Sequence, residues 1–217
     1  REKVRITPGV STVFTCNHGE IYGPVVTNLY IPFSFRPWVI NEISEPDRTA
    51  QYLYRNTVSR QRWIPERLKL PAAKLVMVFL AWVMRSLGSI TVYRDHPREL
   101  VKTFRETASA MEAGDNILIF PENPNDEGQE KAGYLQEGVG EFFTGFTLIA
   151  QIYHQKTGKC AQFVPLFADK RNHTLTFGEP IFYDPENPPQ EEKQRIADHL
   201  RGEMLRIADL HSREEPA

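Results

Sequence analysis

Three side chains able to move or hold charge each sit at the end of a short distinctive run: His18 after Asn17, Arg94 after Gly88-Ser89-Ile90-Thr91-Val92-Tyr93, and Glu122 after Phe120-Pro121. An imidazole accepts a proton near neutral pH, so His18 is a candidate general base. The guanidinium of Arg94 is a permanent cation whose planar fork of donors suits a phosphate. A carboxylate such as Glu122 can orient a histidine, hold an arginine or contact a substrate hydroxyl. As a set, the three suit transfer of an acyl group onto a phosphate-bearing alcohol. Taken singly, each also has a plainer reading. His18 would be a loop histidine, Arg94 the partner of Asp95 or Glu122 in a surface ion pair, and Glu122 a loop carboxylate beside a proline.

Weaker constellations surround them. His18 and Glu20 give two metal ligands without a third nearby, a poor site. Cys16 is two residues from His18 and is a conceivable nucleophile, although its place is that of a buried strand end. Gly138-Val139-Gly140 lacks the lysine and the spacing of a phosphate-binding loop. His96, His154, His173, His199 and His211 follow no partner pattern and read as surface residues.

These groups need a scaffold, and the hydrophobic pattern supplies one. Val10 to Cys16 alternates and is β-branched, the pattern of a strand. A helix is expected from Pro24, with Val25, Val26, Leu29 and Tyr30, stopped by Pro32. Phe35 to Ile40 and Ser89 to Tyr93 read as strands. Asp47 to about Arg60 reads as a helix, and a second, apolar helix is expected from Pro71. Asp95 and Pro97 open a further helix that ends before Gly114, with Leu100, Val101, Phe104, Ala108 and Met111 on one face.

Asn116 to Phe120 is a short apolar strand, and Glu122 to Gly140 is a loop. Phe142, Phe143, Phe146, Ile149, Ala150 and Tyr153 make another helical face. Phe163 to Phe167 is a strand that Pro165 assigns to an edge or a strand end. Thr174 to Phe177 is expected to pair beside it. Gln190 to Leu210 closes the chain as a helix with Ile196, Ala197, Leu200, Met204, Ile207 and Ala208 inward. Alternation of this kind predicts a single α/β domain over 1–217, a mostly parallel sheet with helices on both faces. Sites in such folds form at the carboxyl ends of strands, where His18, Arg94 and Glu122 all fall.

Composition narrows the function. The 217 residues can bury a substantial core, and a net charge of −2 gives no general case for nucleic-acid binding. Cys16 and Cys160 are too few for a disulfide framework, which fits a reducing compartment. The run from Leu75 to Met84 is shorter than the roughly 20 residues of a spanning helix. It follows Arg55, Arg60, Arg62, Arg67, Lys69 and Lys74, with Trp63 and Trp82 in the same region. Two readings stand for that region: attachment to an anionic membrane surface, or a buried helix with a solvated approach. No signal peptide is recognisable. The chain opens on Arg1 rather than Met, which leaves room for a preceding segment such as an anchor.

Taken in order, the runs resemble the lysophospholipid acyltransferase family, relatives of 1-acylglycerol-3-phosphate acyltransferase, from about Val10 to Gly178. Asn17-His18 matches the family's first block; Gly88, Ile90, Val92 and Arg94 match its Gly-x-Ile-x-Val-x-Arg block. Phe120-Pro121-Glu122 matches Phe-Pro-Glu-Gly with Asn123 in the glycine position, and Val164-Pro165 matches the closing Val-Pro. Phe35 to Glu42 is similar to the family's strand between the first two blocks.

The resemblance implies a glycerolphosphate acyltransferase-like fold. It implies transfer from acyl-CoA or acyl carrier protein to the hydroxyl of a lysophospholipid such as lysophosphatidate, at the cytoplasmic face of a membrane, with no metal or bound cofactor. His18 would be the base and Arg94 would hold the phosphate, while backbone amides around Pro121 and Asn123 would face the oxyanion. One position departs: the family's Asp after the histidine is Gly23 here. Glu20 is the first candidate to replace it and Glu122 the second. The alternative implied by that departure is a weak or inactive lipid- or phosphate-binding relative.

Overall fold

The computed structural model describes residues 6–19, 22–41, 65, 67, 71, 78, 82–93, 97–123, 135 and 138–213. Glu20, Arg94 and the helix expected over Asp47 to Arg60 lie outside the described residues, as does most of the apolar helix expected from Pro71. The fold is α/β, and its sheet pairing is mostly parallel. The chain forms two compact units, Arg1–Phe35 with Phe104–Ala217, and Arg36–Thr103.

In the larger unit β1 (Thr12–Cys16) lies between β4 (Asn116–Ile119) and β5 (Gln162–Asp169), parallel to both. β6 (Thr174–Phe177) and β7 (Ile181–Phe182) pair antiparallel with the far side of β5. In the smaller unit β2 (Phe35–Ile40), which enters from the larger unit at Phe35, runs parallel to β3 (Ile90–Val92). Among the described residues, the helices with both ends described are α1 (Tyr22–Tyr30), α2 (Pro97–Glu112), α3 (Leu148–Thr157) and α4 (Pro189–Arg213), and residues 82–86 are also helical. None of the described helices is long and apolar enough to cross a membrane.

Every residue of β1 and β5 is buried. That is the signature of strands covered on both faces, and it explains their near-continuous apolar runs. Side chains alternate between the two cores. Phe14, Cys16, Leu118, Val164, Leu166 and Ala168 cluster with Ile31 and Phe35, just beyond α1. On the opposite face Phe167 meets Met204 and Ile207 of α4, and Phe163 meets Phe146 edge-on at 6.3 Å between ring centroids. Leu200 and Met204 are fully buried, and burial of this kind stabilises by roughly 1.5–3 kcal/mol per side chain.

Three elements differ from expectation. Pro165 is in neither an edge strand nor a strand end: β5 has neighbours on both sides. Its missing donor falls where β6, opposite residues 166–169, gives way to β7, opposite 162–163. There only its carbonyl is used, accepting from Gly178 N–H at 2.8 Å. Phe142 and Phe143 precede their helix; Phe142 bridges Glu122, and a 3-10 turn over Thr144–Thr147 leads into α3. On α2 the buried face runs through Thr103, Phe104, Thr107, Ala108 and Met111, whereas Val101 is 48% exposed. Threonine can face inward there because the Thr103 hydroxyl donates to Thr91 C=O at 2.7 Å.

Candidate active site

β1 ends at Cys16, and the Asn17 side chain extends its pairing with β5 by one step. Asn17 Oδ1 accepts Ala168 N–H at 2.7 Å, and Nδ2 donates to Ala168 C=O at 3.1 Å. Only a carboxamide offers both an acceptor and a donor to one backbone residue in this way. Nδ2 also reaches Gly138 C=O at 3.4 Å. The asparagine is therefore an anchor, 1% exposed, that fixes where the chain leaves the sheet.

The next residue is His18, partly exposed at the carboxyl end of β1. Its ring meets Phe120 edge-on, 5.4 Å between centroids at 64°. Its main chain is held on both sides: His18 N–H donates to Glu122 Oε2 at 2.6 Å, and His18 C=O accepts Gly23 N–H at 3.1 Å. Gly19 adopts φ +49°, a conformation that favours glycine, and α1 begins at Tyr22.

Gly23 stands where the resemblance leads one to expect an acid, and its surroundings explain its identity. A Cβ there would lie 2.2 Å from Asn17 O and 2.9 Å from His18 O. The main chain that carries the histidine fills the space in which an aspartate side chain would begin. No acid can occupy this position without moving the turn.

Glu122 lies just beyond β4 and is 2% exposed. Its second oxygen, Oε1, accepts Gly140 N–H at 2.8 Å. Around it the chain is pinched together, with Asn123 N–H on Glu141 C=O and Phe143 N–H on Pro121 C=O, both 2.8 Å. The carboxylate thus ties the His18 turn to the main chain at Gly140. Burial pushes its pKa up, opposed by the Gly140 and His18 amides and then by the charge of Arg201. Arg201 of α4 donates from Nε to Gly140 C=O at 3.1 Å and pairs with Glu141 at 2.6 Å.

The expected residues therefore separate into groups. Asn17, His18, Phe120, Pro121 and Glu122 come together at the ends of β1 and β4. Val164 and Pro165 lie beside them in register, opposite Phe14 and Thr15. Asn123 is adjacent, but its amide is committed to Glu141 and so is not an oxyanion donor in this arrangement. Glu122 holds the backbone of His18, which makes it a positioning residue.

In the smaller unit Gly88 adopts φ +63° and its carbonyl accepts Arg36 Nε–H at 2.6 Å, joining the start of the second block to β2. Cys16 is buried, donates to Asn17 Oδ1 at 3.5 Å, and has its thiol pushed well up by burial, which disfavours the thiolate. Sequence reasoning missed Gly140 and Arg201. Their one visible signal was the glycine pair at Gly138 and Gly140, set aside because it fits no nucleotide loop. Among the described residues no group of three or more His, Cys, Asp or Glu could hold a metal ion.

No family model, curated protein or solved structure matches the chain.

Proposed function

We propose that this protein is an acyltransferase that moves a fatty acyl group from acyl-CoA or acyl carrier protein to the hydroxyl of a lysophospholipid such as lysophosphatidate. The observation that carries the reading is the 2.6 Å bond between His18 N–H and the Glu122 carboxylate, across 104 residues of sequence. It brings the Asn-His block and the Phe-Pro-Glu block to one place, with a partly exposed imidazole at a strand end where ligands bind in α/β sheets.

In the proposed reaction His18 takes the proton of the acceptor hydroxyl as its oxygen attacks the thioester carbonyl. The C–O bond forms, the C–S bond breaks, and the thiolate leaves or recovers that proton from the imidazolium. Arg94 would hold the acceptor phosphate and Glu20 would orient His18. Glu122 supports the reaction by fixing the turn from which the imidazole projects. Peripheral attachment at the cytoplasmic face of a membrane fits the exposed apolar side chains of α1, Val25, Leu29 and Tyr30, at 46, 70 and 69%. In the smaller unit Val78 and Trp82 are likewise 65 and 64% exposed.

The test is thiol release from acyl-CoA with lysophosphatidate present. His18→Ala should abolish release while the circular dichroism spectrum is unchanged; equal release by that variant overturns the reading. Release without acceptor would mark a thioester hydrolase instead. A second reading is favoured by Gly23, whose space excludes an orienting acid: a non-catalytic lipid- or phosphate-binding relative. Binding of lysophosphatidate without thiol release would select it.

A further inference from the structure

Away from His18, a second histidine belongs to a complete hydrogen-bonded chain. His211, near the end of α4, places Nδ1 2.9 Å from Asp169 Oδ2 and Nε2 3.3 Å from Thr176 Oγ1. Asp169 ends β5 and Thr176 lies on β6, so three separate elements meet there. The expectation that His211 is a surface residue without a partner is corrected: its side chain is 17% exposed and that of Asp169 10%. Asp169 is itself fixed, with Oδ1 accepting the Arg171 and Asn172 amides at 2.9 and 3.2 Å and Oδ2 accepting Asn172 Nδ2 at 3.0 Å.

The protons follow from the donors available. An ionised carboxylate only accepts, so a neutral His211 must donate from Nδ1 to Asp169. That leaves the lone pair on Nε2 for the Thr176 hydroxyl proton. Phe167 flanks the imidazole edge-on at 6.0 Å between centroids and helps fix the ring plane. The order of acid, imidazole and hydroxyl, with the acid held by backbone amides, is the arrangement that activates a hydroxyl in triad hydrolases.

Donors for an oxyanion are also nearby. β6 is the outermost of the strands paired through β5. The Gly178 N–H to Pro165 O bond sets the ladder phase, so Thr176 faces Phe167 in a hydrogen-bonded pair. The neighbours Leu175 and Phe177 therefore turn their amides to the outer edge. The amide of the residue after the nucleophile is a donor that hydrolases of other folds use.

The geometry points to Thr176, His211 and Asp169 as a second acyl-handling site, in which Thr176 is a nucleophile toward activated carboxylic esters. Thr176 Oγ1 attacks the ester carbonyl and its proton passes to His211 Nε2. A new C–O bond forms as the bond to the leaving alkoxide or phenolate breaks, and the leaving oxygen takes the proton back from His211 Nε2, giving an acyl-threonine and a neutral imidazole. Water then gives a proton to His211 Nε2 as it adds to the acyl carbonyl, and that proton returns to Thr176 Oγ1 as the acyl C–O bond breaks and the acid leaves. None of these groups belongs to the His18 site, so the inference stands or falls apart from the proposed function.

p-Nitrophenyl acetate is the probe, with nitrophenolate release followed by absorbance and acetylation mapped by peptide mass spectrometry after acid quench. The expected result is one acetyl group on Thr176 in the intact protein. Thr176→Val keeps the shape of the side chain and should abolish that label. Asp169→Asn imposes the wrong imidazole tautomer and should slow acetylation by on the order of 10⁴-fold. Thr176→Ser removes only a methyl group and should retain labelling, which separates lost chemistry from lost folding. No acetyl on Thr176 in the unaltered protein overturns the inference, and so does labelling at an unchanged rate in His211→Gln.

Discussion

Replacing Glu122 by Gln tests the keystone of the His18 site. The carboxylate accepts two backbone amides, from His18 at 2.6 Å and Gly140 at 2.8 Å, at a residue 2% exposed. A carboxamide has one oxygen, and its NH₂ group would confront the second amide donor to donor. One buried N–H then loses its partner, which costs about 1–3 kcal/mol. For a chain of this length each kcal/mol moves Tm by about 2–4 °C, so Glu122→Gln should lower it by roughly 2–12 °C. Hydrogen exchange should show either the His18 or the Gly140 amide losing protection.

The pH dependence gives an independent check. Burial raises the Glu122 pKa in the folded state, so its contribution to stability is fully present in acid and is lost as pH rises through that raised value. Glutamine has no such titration. The stability gap between the two proteins should therefore be widest below the ordinary glutamate range and narrow toward neutral pH. Denaturant unfolding at several pH values measures it. A gap that widens with pH would refute burial as the dominant influence on Glu122, and no gap together with full protection of both amides would refute its role as a buried two-amide acceptor.

Gly23→Ala and Gly140→Ala should differ sharply in unfolding experiments. The first places a Cβ 2.2 Å from a backbone oxygen and should cost more than about 4 kcal/mol, or prevent folding; the second meets Glu122 Oε1 at 3.6 Å and should change stability by less than about 1 kcal/mol. At Asp169 burial raises the carboxyl pKa, but the Asn172 amide, His211, the Asn172 side chain and the Arg171 amide outweigh it and hold the value low. The stability it supplies is present above the ordinary aspartate range and lost as pH falls through the lowered value, so the advantage of the protein over Asp169→Asn should fade in acid unfolding curves. Among the described residues the buried Thr15 hydroxyl has no hydrogen-bond partner, and Thr15→Val should raise stability by about 1 kcal/mol in denaturant melts.

The scaffold was legible because its signals are local. A β-branched run marked β1, Pro97 and Gly114 bounded α2, and the apolar stripe from Ile196 to Ile207 marked α4. Where the reading slipped, a distant contact decided the outcome. Pro165 looked like an edge residue because the break between β6 and β7 that tolerates it involves residues 13 or more positions away. Phe142 looked helical because the bridge that holds it is to Glu122, 20 positions back. The histidines show the same limit: His18 stood out by its neighbours in sequence, whereas the partners of His211 lie 42 and 35 positions away and leave no local trace.

Gly23 carries the deepest consequence of that distinction. Read along the sequence, it is an absence, an acid missing from a family pattern. In the fold it is a requirement, because the turn that presents His18 closes through Gly23 N–H on His18 C=O and leaves no room for a Cβ. The same turn is held from the other side by a carboxylate 104 residues distant. An orienting acid beside the imidazole and a carboxylate beneath its main chain both limit where the ring can go, but only the acid raises its basicity directly. In the proposed reaction that orienting role would fall to Glu20. Introducing Asp at position 23 would then remove activity, because it would displace the backbone that aims the ring.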